Sequence, residues 1–186
     1  MSEKLRVVFK LRGLVMVPLV LFLVFWRRGE YENDWVVFPL GGALFACGLS
    51  LRIWAQVHLH YRLNVHKILT MTGPYAYVRN PIYIGNTLIL LSLCAMSELM
   101  WSFPIMLLWC IFVYHFVVRY EESHLTAKYG TPYREFLQSV PRWWPRRASR
   151  SGERAADVWR YLLPSIRAEL HCFIWVVPFV LKELAG

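Results

Sequence analysis

Apolar residues recur along this chain in five blocks, each closed by a short break rich in polar, aromatic or proline residues. The first four run from Val7 to Trp26, Trp35 to Gln56, Pro81 to Met100 and Trp101 to about Tyr120. Each approaches the roughly 20 residues that an apolar helix needs to cross a bilayer. The fifth, Leu170 to Leu181, is shorter and predicts a short membrane-embedded helix extended toward Ala185, with an interfacial helix as the alternative. The pattern as a whole predicts an all-α, polytopic membrane bundle with four to five spans. Lys10 and Arg12 lie close enough to a span end to snorkel, and Pro18 is tolerated inside a membrane helix. Gly41, Gly42 and Gly48 are small enough to let helices approach closely.

The breaks add direction and shape. Between the third and fourth blocks only Ser97, Glu98 and Pro104 mark a turn, which predicts a tight helical hairpin. The fourth helix is expected to continue to Tyr129, with Gly130 as its C-terminal cap. Thr131-Pro132 then opens a short helix, Thr as N-cap and Pro at the first helical position. Val140 to Pro145, VPRWWP, cannot continue a helix and predicts an extended stretch at the headgroup level. Residues 1–145 therefore read as one membrane domain and 146–186 as a C-terminal extension.

Composition narrows the class. At 57% hydrophobic and 16% aromatic residues, the chain is too apolar for a soluble globule. Its formal net charge of +9 lies beside apolar runs, not on a basic recognition helix, which points to a membrane surface and excludes nucleic acid as a partner. Cys47, Cys94, Cys110 and Cys172 lack C-x-x-C spacing, so the sequence predicts packing cysteines, with no metal site and no disulfide framework. The first apolar block has no small-residue cleavage site and reads as a span, not a signal peptide. Arg62, Lys67 and Arg79 follow the second block without any acid, and the segment after the fourth is rich in Lys and Arg. Arg27 and Arg28, by contrast, are offset by Glu30, Glu32 and Asp34. The asymmetry predicts a cytoplasmic N-terminus and two cytoplasmic cation-rich loops.

One of these loops carries most of the chemistry. His66 to Gly85, HKILTMTGPYAYVRNPIYIG, has cations, three tyrosines and no acid, and it ends where Asn80-Pro81 opens the third helix. Asn is a preferred N-cap and Pro needs no amide hydrogen in the first turn, so a positive helix end is expected beside the loop. Gly73-Pro74 makes a turn that brings His66 to Leu69 back toward that end. Tyr75 and Tyr83 are suited to stacking or hydrogen bonding, with interfacial anchoring as the alternative. A second constellation, Arg119-Tyr120-Glu121-Glu122, closes the fourth block. Helical spacing puts Glu121 on one stripe with Tyr114, Val117, Val118 and Leu125, and Glu122 with His115, Arg119 and Thr126. An acid on an apolar stripe is a site hypothesis by default, whereas Glu122 has a salt bridge to Arg119 as its plain reading.

These two segments resemble the isoprenylcysteine carboxyl methyltransferase and phospholipid methyltransferase family of integral membrane enzymes. The resemblance rests on HKILTMTGPYAYVRNPIYIG and EESHLTAKYGTPYREFLQSVPRWWP, and covers roughly residues 50 to 145. It implies S-adenosylmethionine as cofactor, held in a cytoplasm-facing pocket, and a lipid-like or prenylated substrate entering from the membrane. Carried across by position, it implies that His66, Lys67, Ile68, Leu69, Tyr75, Asn80, Pro81, Ile82 and Tyr83 line the cofactor and that Glu121 contacts its polar end. Asn80 stands where the prenylcysteine enzymes have His, and Val117 where they have a substrate-contacting Arg. Arg119 is the expected cation for a carboxylate acceptor, and Glu122 or His115 the expected proton acceptor for an amine. A nicotinamide-dependent sterol-type membrane reductase and a non-enzymatic small membrane protein are the alternative readings.

Overall fold

The computed structural model describes residues 11, 13–26, 28–31, 33–60, 69–146 and 158–184. Expectations placed on Lys10, Arg12, Arg62, His66, Lys67 and Ile68 lie outside those residues. The described part is all-α, without a strand among the described residues. Helix α1 spans Val17–Phe25, α2 Asp34–His60, α3 Pro81–Met96, α4 Ser102–Tyr129 and α5 Thr131–Ser139. In the extension, α6 spans Leu162–Glu169 and α7 Val177–Leu184, with 3-10 turns at Val158–Tyr161 and Leu170–Trp175.

Three helical stretches are long and apolar enough to cross a membrane: Asp34–His60, Ser102–Tyr129 and Val158–Lys182. The last corrects the expected Leu170–Leu181 element, which begins at Val158 because the amphipathic residues before Leu170 are helical too. One expected span is shorter than predicted. The third ends at Met96, since residues 97–101 are needed to reverse the chain, with Glu98 at φ 64°. Of the expected first span, Leu14–Phe25 lies among the described residues as an apolar helical stretch, and Pro18 sits in the first turn of α1, where a proline is tolerated.

The core is built by α1, α3 and α4, with Leu23, Leu93, Met106, Val113 and Val117 packed together in its interior. Helix α2 lies against α3 at backbone distance. A Cβ on Gly48 would stand 2.8 Å from the Gly85 carbonyl oxygen, and one on Gly85 would stand 2.6 Å from Arg52 Cγ. Gly41 faces α3 in the same way, whereas Gly42 meets nothing within 4 Å. Of the cysteines, Cys94, Cys110 and Cys172 are buried and Cys47 is exposed.

The C-terminal end of α2, the start of α3, the end of α4, α5 and the VPRWWP stretch gather at one end of the bundle. The opposite end is pinned by Lys182, whose ammonium meets Glu30 at 2.5 Å and the Ser97 carbonyl at 3.3 Å. The C-terminal extension is thus part of the same bundle: it also reaches α2 through His60 Nδ1 and Ser165 Oγ at 3.2 Å.

Candidate functional site

The turn before α3 is shaped by one glycine. Gly73 has φ +60°, and a Cβ there would fall 2.3 Å from His58 Cδ2, so the turn both bends left-handed and rests on the end of α2. His58 Nδ1 and Thr72 Oγ1 are 3.0 Å apart and hold that contact. The 3-10 turn Gly73–Ala76 then delivers Tyr75 and leads through Arg79 and Asn80 into α3.

Asn80 occupies the N-cap position, but its side chain does not cap the helix. It donates instead from Nδ2 to the Arg142 carbonyl at 3.1 Å. The Arg79 amide donates to the Pro141 carbonyl at 2.9 Å, and the Arg146 amide to the Tyr77 carbonyl at 3.2 Å. The extended VPRWWP stretch therefore runs beside residues 77–80 and binds them through backbone groups, a role its prolines and carbonyls permit and no helix would. At the start of α5 the N-cap is Gly130, and Thr131 is already helical without a side-chain cap, because the positive φ of Gly130 makes the reversal one residue early.

The two acids at the end of α4 have different partners. Glu122 is clasped by two arginines: Arg79 Nη1 donates to Oε1 at 2.9 Å, and Arg142 donates from Nε to Oε1 at 3.0 Å and from Nη2 to Oε2 at 2.5 Å. The expected pairing with Arg119 is not formed; Arg119 is exposed, and His115 is exposed beside it. Glu121 accepts a hydrogen bond from the Tyr83 hydroxyl at 2.9 Å. Tyr83 in turn packs on Tyr114 at 4.9 Å between ring centres, and Tyr114, Val117 and Val118 are buried as the helical stripe predicts.

Between these elements lies a cavity of about 550 Å³, within the size of small-molecule sites. Leu69, Tyr75, Asn80, Pro81, Ile82, Tyr83, Glu121 and Glu122 all line it, so the structure brings both sequence segments to one space; Arg119 is not among its walls. Arg52, Gln56, Thr70, Asn86, Leu125, Tyr129 and Tyr133 line it as well and were not singled out from sequence. Arg52 carried a usable signal, a charge in the middle of an apolar helix. Thr70 carried none. Thr70 Oγ1 and Arg79 Nε are buried without a hydrogen-bond partner among the described residues.

Burial holds two phenols at the wall in the neutral form. The Tyr75 hydroxyl is pushed well above its ordinary value, first by burial and then by Glu121, with Arg52 opposing. Tyr133 is raised in the same direction, first by burial and then by Glu122. Burial also lowers the Arg79 guanidinium from its ordinary value, with Glu122 opposing. Two neutral phenols, the Glu121 and Glu122 carboxyl groups and the Arg52 and Arg79 guanidinium groups thus surround one volume.

The fold and this site define a helical membrane bundle with a polar-walled cavity at one end. Residues 36–132 match the family model described as phospholipid methyltransferase, and the chain belongs to that family. It is 27% identical over 165 residues to the cobalt-zinc-cadmium resistance protein CzcN of Cupriavidus metallidurans, covering 87% of this chain and 73% of that protein. It is 26% identical to the nickel-cobalt-cadmium resistance protein NccN of Alcaligenes xylosoxydans xylosoxydans over 138 residues, 71% of this chain and 62% of that one. No solved structure gives a significant match.

Proposed function

We propose that the 550 Å³ cavity binds S-adenosylmethionine and that the chain transfers its methyl group to a lipid-like acceptor in the membrane. The observation that carries this reading is the one cavity lined by both family segments, with the Tyr83–Glu121 hydrogen bond joining them at its wall. When bound, S-adenosylmethionine supplies a methyl group on a positively charged sulfur. Glu121, oriented by the Tyr83 hydroxyl, meets the cationic amino end, and the positive end of α3 meets the carboxylate. Tyr75 and Tyr133 present neutral hydroxyls and ring faces to the heterocycle. Glu122 ties Arg79 and Arg142 into one clasp, which holds the VPRWWP stretch against residues 77–80 and fixes the Arg79 and Glu122 side of the cavity.

The acceptor is a prenylcysteine-type carboxylate or a phospholipid amine. For a carboxylate, Arg52, held by Glu169 and Asn86, is the cation on the cavity wall with Nη2 left to meet it, in place of Arg119, which is exposed. The cation-rich composition of both loops at this end supports a cytoplasm-facing pocket. The names of the two relatives favour one addition: the methylated membrane component serves tolerance of divalent transition metals. Membranes containing the protein, incubated with radiolabelled S-adenosylmethionine, are expected to yield labelled lipid or base-labile methyl ester. Separation of the two products identifies the acceptor. Calorimetric titration in detergent that shows no S-adenosylmethionine binding, or NADPH binding in its place, would refute the reading.

A further inference from the structure

The C-terminal extension holds a second cluster, bonded to Arg52, which also lines the 550 Å³ cavity. Glu169 and Cys172 are buried and His171 lies beside them, and one ligand atom from each falls within 4.8 Å of the others. Cys172 Sγ stands 3.5 Å from Glu169 Oε2 and 3.8 Å from His171 Nε2. In a tetrahedral site with metal–sulfur bonds near 2.3 Å and metal–nitrogen or metal–oxygen bonds near 2.0–2.2 Å, ligand atoms are about 3.5 Å apart. Both Cys172 distances are close to that spacing.

The orientation of the imidazole is the second observation. His171 Nδ1 lies 2.7 Å from the Ala168 carbonyl oxygen, which can only accept, so Nδ1 carries the hydrogen. Nε2 is then the nitrogen with a lone pair, and it is the nitrogen that faces Cys172. A backbone carbonyl that fixes the tautomer of a ligating histidine is the usual support for such a residue. Arg52 plays the corresponding part for the carboxylate, donating from Nε to Glu169 Oε2 at 2.6 Å while its Nη1 donates to Asn86 Oδ1. A carboxylate has about four lone-pair positions, so one hydrogen bond from an anchored guanidinium aligns Glu169 without using it up.

We propose that Glu169, His171 and Cys172 bind a thiophilic divalent cation of the Zn²⁺, Co²⁺ and Cd²⁺ class. One thiolate, one imidazole and one carboxylate select these ions over Mg²⁺ or Ca²⁺, which prefer oxygen alone. As the metal–sulfur bond forms, the Cys172 thiol proton passes to bulk water. His171 and Cys172 also line a second cavity of about 460 Å³, together with Val20, Leu93 and Trp175. The sequence conceals this site because Glu-Leu-His-Cys contains no paired cysteines and lies in an apolar run.

The test is titration of the full-length, tag-free protein in detergent with Co²⁺, read by absorption. The expected result is one equivalent bound, with a thiolate-to-cobalt charge-transfer band and the visible absorption of a tetrahedral centre. Cys172→Ser removes the band, His171→Ala weakens binding by about tenfold or more, and Cys47→Ser leaves both unchanged. His171 is exposed, so its replacement leaves the fold intact, and far-ultraviolet ellipticity checks each variant. Absence of the band in the wild-type protein, its survival in folded Cys172→Ser, or its loss in Cys47→Ser would overturn the assignment.

Discussion

The Tyr83 hydroxyl donates to Glu121 Oε2 across 2.9 Å, joining the first turn of α3 to the end of α4. The two residues are 38 apart in sequence, and each belongs to a different family segment. With the Arg79–Glu122 ion pair, their hydrogen bond joins the two segments at one cavity. Glu121→Gln removes the charge that meets a cationic ligand and is expected to weaken S-adenosylmethionine binding by about tenfold or more. Tyr83→Phe leaves the charge but frees its orientation, and a loss of about two- to tenfold is expected. Calorimetric titration of both variants checks the order; equal affinity in Glu121→Gln and wild type would remove Glu121 from the site.

Arg119→Gln is expected to leave cofactor affinity and thermal stability unchanged, because the side chain is exposed and lies off the cavity wall. Arg142→Gln, by contrast, removes the forked partner of Glu122 and loosens the VPRWWP stretch. A stability loss of about 1–3 kcal/mol is expected, measured as a shift in detergent-phase thermal unfolding.

At Gly73 an alanine meets two obstacles at once, a positive φ and the His58 ring 2.3 Å away. Gly73→Ala is expected to cost about 1–3 kcal/mol. Adding His58→Ala relieves the steric part but not the backbone part, so the double variant should recover only some of the loss. Full recovery would show that the backbone conformation carries no penalty.

The raised phenols at the cavity wall make stability fall at high pH. An unfolded tyrosine ionises near 10.0, whereas Tyr75 and Tyr133 resist ionisation in the folded chain. The folded state therefore holds the proton that the unfolded state releases. Their contribution is fully present below pH 10 and is lost as pH rises above it. Midpoints of thermal unfolding should be level up to about that pH and then decline, and Tyr133→Phe should flatten the decline.

Gly48 and Gly85 meet at backbone distance, so Gly85→Leu is expected to separate α2 from α3 and to displace Arg52 from Asn86 and Glu169. Cross-linking of cysteines placed on the facing surfaces of α2 and α3 reports the separation. Unchanged cross-linking yields would contradict the close packing.

Hydropathy and turn chemistry by themselves determined the all-α architecture, the hairpin at Ser97-Glu98, the reversal at Gly130 and the segments that carry chemistry. Each of these follows from interactions between near neighbours in the chain or between a segment and its solvent. Helical periodicity also separated Glu121 from Glu122, since a turn of helix puts adjacent residues on different faces. The partners of those acids were beyond it. Arg119 is three residues from Glu122 and was the local choice, yet Arg79 and Arg142, 43 and 20 residues away, take the carboxylate because the VPRWWP stretch folds back along residues 77–80. The burial of Thr70, the alignment of Glu169 by Arg52 across 117 residues and the facing of His171 and Cys172 have the same origin. A short polar side chain shows its function only in what closes around it, and that closure is a property of the packed bundle.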